Sequence, residues 1–447
     1  MANKQFAQLL LNKVINDADI SALTKYNIQS SDMPTKVDSK TFDFIHDYYE
    51  KEGVVPSYAT VSAKVANFEY VPEITDTYAY LAKQVKDFSG KVSLFKLLED
   101  PTMQAKFDDM SSADFIAYMQ KSLHEIEVNT KVARGLGTDV VHDAEKFLSE
   151  YEKRKAGESN KVWRSKFPTV AQELGGYTEG NTYAWFGRSG RGKSIITMEE
   201  ALQAAVDGAN VLIWALEMPW FEWMARAYSS LSARRKIFKA EIDGTKYETG
   251  FFNRNLQQGD LPTEFEEAFR VFTMELAEGQ HVKGSITVRS VDDDDFDQRN
   301  LAALQADIEA IKANVVVIDP IYYMDFEQNT SKTAGGDIAA TSKKLRRLAG
   351  KMKCVIHVVT QAEEDKEKFD EGVRSISIPS RESVKKSKAI LEDAAALLAF
   401  DSADSTGVIE IKKGRSGGEG KQAELIFMPS YGVVEEIDYT AALVREF

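Results

Sequence analysis

The chain has 447 residues, 43% of them hydrophobic, enough for two or three domains with real cores. Its 70 acidic against 56 basic side chains leave a formal net charge of −14, which excludes a surface that coats itself indiscriminately with nucleic acid and leaves room only for a local basic lining. A lone cysteine, Cys354, and five scattered histidines exclude an internal disulfide and a cysteine-based zinc site; with no secretory pattern and no apolar run near the roughly 20 residues of a bilayer span, a cytoplasmic protein without membrane contact is expected.

In chain order, "FAQLLLNKVI" places Phe6, Leu9, Leu10 and Val14 at helical intervals, and "SSADFIAYMQKSLHEIEV" does the same with Phe115, Ile116, Met119 and Leu123. A small all-α domain over residues 1–130 follows, its apolar stripes read as core, with a partner-binding face as the alternative. A glycine pair in "ARGLGTD" precedes "VVHDAEKFLSEYEKRKA", a charged, weakly amphipathic helix. Residues 131–165 therefore read as a linker whose helix has one face suited to docking on another subunit.

From residue 166 to 447 the pattern changes to short apolar runs alternating with helices: "TYAWFG", "NVLIWALE", "SITVRS", "NVVVIDP", "CVIHVVTQ" and "ALLAFDS". Such alternation predicts a mostly parallel sheet covered on both faces, an α/β domain. The tail "GVIEIKKGRSGGEGKQAELIFMP" holds two alternating runs around a Gly-rich turn, hence an antiparallel hairpin. Four adjacent acids, Asp292 to Asp295, lack the converging geometry of a metal site and read as a solvated loop before the helix "RNLAALQADIEAIKA".

The chemistry is announced by "WFGRSGRGKS". Gly187, Gly192, Lys193 and Ser194 stand in P-loop spacing, behind a strand and at the start of the helix "SIITMEEALQAAV". The backbone N–H groups of Gly187, Arg188, Ser189, Gly190, Arg191 and Gly192 are suited to close around phosphates, Lys193 adds positive charge, and Ser194 offers an oxygen to Mg²⁺. A second metal contact is expected where a buried strand ends, at Asp319 of "NVVVIDP". Glu217, ending "NVLIWALE", should emerge on the same sheet edge, placed to activate water.

From here the sequence resembles a known family. "ALEMP" is similar to the "SLEM" segment of DnaB-family replicative helicases, whose glutamate is the catalytic base, and Arg226 falls nine residues on, where that family keeps an arginine near the nucleotide. Gln361, ending "CVIHVVTQ", resembles the glutamine that senses the γ-phosphate. Arg381, Glu382 and Ser383, the "RES" stretch, resemble the loop that holds the single-strand backbone. "KKGRSGG" resembles the Lys-x-Arg that would make Lys413 and Arg415 reach into the neighbouring subunit's ATP. These marks, in order over roughly residues 165–430, imply a RecA-like P-loop ATPase domain behind a helical collar. They also imply ATP and Mg²⁺ as cofactors, a hexameric ring and single-stranded DNA in its channel. Lys385, Lys386 and Lys388 would add to the channel lining. After "RES" this chain reads "VKKSKAILEDAA", three residues longer than the family pattern and without its glycine. The absence of a zinc-finger primase implies a phage-type version in a host cytoplasm, working with a separate primase and a helicase loader. A RecA-like recombinase or KaiC-like regulatory ATPase shares the P-loop sheet and is the alternative; a small-molecule kinase is a third reading.

Overall fold

In a computed structural model the described residues are 5–130, 138, 140–141, 143–242, 244–329, 335–363, 369–370, 373–384, 388–415 and 417–438. The glycine pair of "ARGLGTD" and the residues Lys385 and Lys386 lie outside them. The chain divides into two compact units, Met1–Leu148 and Ser149–Phe447. No helix among the described residues is long and apolar enough to cross a membrane.

Among its described residues the first unit has helices and no strand. Its longer helices are α1 (Gln5–Asp17), α2 (Lys36–Glu52), α3 (Tyr78–Leu98) and α4 (Ser112–Thr130). Local chemistry sets their ends: the Thr35 hydroxyl accepts from the Asp38 N–H at the start of α2, and Gly53, at φ 72°, closes it. Leu10, Leu11 and Val14 of α1 pack with Ile45, Val61, Leu81 and Val85. Inside lies an ion pair, Lys86 Nζ to Asp32 Oδ2 at 2.6 Å; Lys86 also donates to the Asn129 carbonyl at 2.9 Å, tying α3 to the end of α4. The expected core role of the α4 stripe is met only in part: Phe115 and Met119 are half-buried, whereas Ile116 and Leu123 are 56% and 43% exposed. The boundary between the two units falls within helix α5 (Ala144–Lys155), on which Phe147, Leu148 and Tyr151 are exposed.

The second unit is built on one nine-stranded sheet. In chain order its strands are β1 (Asn181–Gly187), β2 (Asn210–Ala215), β3 (Ser285–Ser290), β4 (Val315–Asp319), β5 (Val355–Gln361), β6 (Ala396–Ala403), β7 (Thr406–Gly414), β8 (Gln422–Met428) and β9 (Val433–Glu436). Across the sheet they run β9-β8-β7-β6-β1-β5-β4-β2-β3. From β6 to β3 every neighbouring pair is parallel, and β6 to β9 form an antiparallel extension.

Alternation along each strand splits the core in two. Trp185, Ile213, Val317 and Val359 belong to one cluster, whereas Phe186, Leu212, Ile318 and Val358 belong to the other. Helices α6 (Lys193–Val206), α7 (Trp220–Arg234) and α8 (Thr263–Ala277) supply the first cluster, and α9 (Leu301–Ile311) and α10 (Gly336–Met352) the second. Asn300 caps α9 by accepting from the N–H groups of Ala302 and Ala303. The acidic loop is more than a solvated turn: Asp292 accepts from the Trp220 N–H at 3.1 Å, capping α7, and Asp295 pairs with Arg289 at 2.7 Å.

Candidate nucleotide site

The P-loop takes its shape from two crowded glycines. A Cβ on Gly187, the last residue of β1, would run into the Phe400 carbonyl oxygen; one on Gly192 would run into the Phe427 ring. Gly192 also has φ 93°, in the left-handed region that side chains disfavour. Helix α6 starts at the next residue and presents its N-terminal amides to the loop. Lys193 Nζ donates to the Arg188 carbonyl at 2.7 Å.

Strand register brings the other groups to the same edge. Gln361 is opposite Gly187 across the β1–β5 ladder, and Asp319 is opposite Ala215 across β4–β2. The Leu216 N–H donates to the Asp319 carbonyl at 2.8 Å, so Glu217 leaves the sheet one residue later. Ser189, Gly190, Gly192, Lys193, Ser194, Glu217, Arg226, Asp319 and Gln361 all line one cavity of about 700 Å³. That volume suits a nucleotide.

The electrostatics suit a triphosphate with its metal. Burial pushes the Asp319 carboxyl up to about 6, opposed by a hydrogen bond from Ser194 and by the Lys193 charge. Burial also lowers the Lys193 amine, while the Asp319 and Glu217 carboxylates oppose it. A buried carboxylate made expensive in this way gains most from a bound cation. The Ser194 hydroxyl beside Asp319 makes a small oxygen set of the kind that Mg²⁺, which keeps several waters, accepts.

Two cavity residues escaped the sequence reading. Glu222 forms an ion pair with Arg226 four residues on, so in this state the arginine is held on its own helix; the i,i+4 spacing was the available signal. Tyr322 lies 3.4 Å from Gln361 Oε1 through its hydroxyl. Burial, then the Glu217 carboxylate, pushes that phenol up to about 12. Nothing in "DPIYY" distinguishes Tyr322 from Tyr323.

The remaining predicted residues lie elsewhere. The Arg188 side chain is buried, donates to the Ser377 carbonyl and sits 3.9 Å from Asp401. The Arg191 carbonyl accepts from Ser402 at 2.8 Å. Lys413 donates to the carbonyls of Glu392 and Ala394, each at 2.8 Å, and Arg415 to Asn181 Oδ1 at 3.3 Å. Asn181 begins the strand that Gly187 ends, so these two cations stand at the opposite edge of the sheet from the cavity. Arg381 pairs with Glu419 at 2.6 Å, Glu382 is exposed, and the Ser383 hydroxyl donates to the Ser380 carbonyl at 2.6 Å.

A family model described as an AAA domain matches residues 162–367. A solved DnaB-like replicative helicase, described together with its interactions with primase, superposes at a TM-score of 0.62 and 14% identity, over 97% of this chain and 100% of its own. A second solved structure, described as an ATPase domain, does so at 0.50 and 16%, over 67% of this chain and 100% of its own. No curated protein sequence matches. At these identities the likeness establishes the fold: a RecA-like ATPase unit preceded by a helical unit.

Proposed function

We propose, on the premise that this chain has the fold of a DnaB-like replicative helicase, that it is one subunit of a hexameric ring that hydrolyses ATP at subunit interfaces, moves along single-stranded DNA and parts the duplex ahead of it. One observation carries this reading. Nine predicted residues line a single cavity, yet the two cations expected to complete it, Lys413 and Arg415, lie at the other end of β1. Six residue steps along a strand amount to about 20 Å. Cations so placed serve a nucleotide held by the next subunit.

In this reading Lys193 and the loop amides hold the phosphates. Ser194 and Asp319 would hold Mg²⁺, which when bound neutralises phosphate charge. Glu217, exposed at the cavity wall, takes the proton of the attacking water. Tyr322 holds Gln361 towards the γ-phosphate, and Arg226 exchanges Glu222 for the nucleotide. Arg381, Glu382 and Ser383 contact the DNA strand, as would Lys385 and Lys386, which lie outside the described residues. The exposed apolar side chains of α4 and α5 offer docking faces to other subunits or to a separate primase, in keeping with the DnaB-like neighbour described with primase.

The test is complementation. Arg415→Ala should lower turnover by about 10³-fold or more, as loss of an arginine finger does. Mixing Arg415→Ala with Lys193→Ala subunits should restore part of it, because an intact P-loop then meets an intact finger. With subunit exchange verified, a mixture as inactive as its parents refutes the shared site. Electron microscopy of the ATP-bound protein on single-stranded DNA should give rings, and filaments would point to a recombinase instead.

A further inference from the structure

Asn181 opens β1 with a carboxamide whose orientation is fixed from one side. Its Nδ2 donates to the Thr178 carbonyl at 3.1 Å and towards that of Glu179 at 3.5 Å. Its Oδ1 is thereby turned to two guanidinium groups: Arg346 Nη2 at 2.9 Å and Arg415 Nη1 at 3.3 Å. The two arginines are held differently. Arg346, on α10, also donates to the Gly180 carbonyl and so is fixed at two points. The exposed Arg415 meets Asn181 through one longer hydrogen bond, while its backbone N–H is anchored to the Ala395 carbonyl at 3.2 Å. The charge of Arg415, after burial, lowers the Arg346 guanidinium, as expected of two like charges around one oxygen.

We propose that Asn181 is a positioning residue for Arg415: its side-chain oxygen aims the guanidinium out of this subunit towards the nucleotide of the next, with Arg346 as the fixed cation behind it. A neutral acceptor suits the task. It orients the guanidinium without the hold of a carboxylate, which would compete with phosphate. Because Asn181 and Gly187 end the same seven-residue strand, one rigid element seats the finger for the neighbour and the phosphate loop for its own nucleotide.

This inference rests on the trans-acting role of Arg415, and the experiment separates the two. Asn181→Ala should lower kcat by about 10²-fold, the scale of a small misplacement of a catalytic group, with nucleotide affinity little changed. Mixed with Lys193→Ala subunits it should recover activity; mixed with Arg415→Ala subunits it should not, since every finger in that ring is defective. Unchanged turnover in Asn181→Ala overturns the proposal. So does recovery with Arg415→Ala, which would place the defect in the variant's own phosphate loop. If Arg415→Ala with Lys193→Ala recovers while Asn181→Ala with Lys193→Ala does not, the positioning role alone is wrong. If neither recovers, the shared-site reading has failed. Should Asn181→Ala not fold, Asn181→Ser, whose hydroxyl is too short to reach both arginines, enters the same mixtures with the same outcomes.

Discussion

Glu200 lies inside the second unit, on α6, and its carboxylate is enclosed by donors. Ser165 Oγ and the Tyr177 hydroxyl donate to Oε1 at 2.6 and 2.9 Å, and the Lys166 N–H donates to Oε2 at 3.0 Å. Burial nevertheless dominates and raises its pKa from 4.5 to about 7. The folded chain therefore keeps a proton that the unfolded chain releases. Its stabilising contribution is fully present below pH 4.5 and is lost as pH rises through about 7. At about 1.4 kcal/mol for each pH unit between those values, the loss is on the order of 3 kcal/mol. Glu200→Gln freezes the neutral state. Its amide oxygen can accept from Lys166, and its NH₂ can donate to the two hydroxyls, which rotate to accept. Urea unfolding followed by tryptophan fluorescence, run on both proteins at pH 5, 6.5 and 8, should show the variant's relative stability climbing by about 2.5 kcal/mol, the part of the loss that falls inside this window. Taking the difference removes titrations common to both, including that of Asp319. Parallel pH profiles for the two proteins would refute the argument.

Lys193→Ala should abolish ATP turnover and unwinding with an unchanged circular dichroism spectrum, because the amine faces the cavity and not the core; turnover at the parental rate would contradict the P-loop role. Glu217→Gln should retain nucleotide binding, measured by fluorescent-analogue titration, and lose hydrolysis alone. Gly192→Ala should weaken nucleotide binding at least tenfold in the same titration, since a methyl at φ 93° would displace the loop from Phe427.

The shared sheet edge of the phosphate loop, Asp319 and Glu217 was legible because each sits at the end of a buried apolar run, where strand period and position fix which edge a residue reaches; Gln361 was singled out only by the family resemblance. Eight of the nine sheet strands were legible for the same reason; β9, four residues long, carries too little pattern. Asn181, Glu222 and Tyr322 were not legible. Their significance lies in partners at long sequence separation or in a helix phase that many surface pairs share. Adjacent Glu199 and Glu200 look like solvent-facing helix residues, yet both are fully enclosed. Asp292 had its meaning in Trp220, 72 residues away. The α4 stripe has the spacing of a core face, and amphipathicity alone cannot say whether the covering surface belongs to the same chain.

Ten of the fourteen residues of α6 are buried. A helix so enclosed cannot tilt or slide without opening voids along its length, and dense interiors resist that. The phosphate loop is therefore joined directly to a firmly enclosed helix. In the motor cycle proposed above it would act as the stator, and the stroke would fall to pieces mounted nearer the surface, such as the rim carrying the exposed Glu217 and the half-buried Arg226.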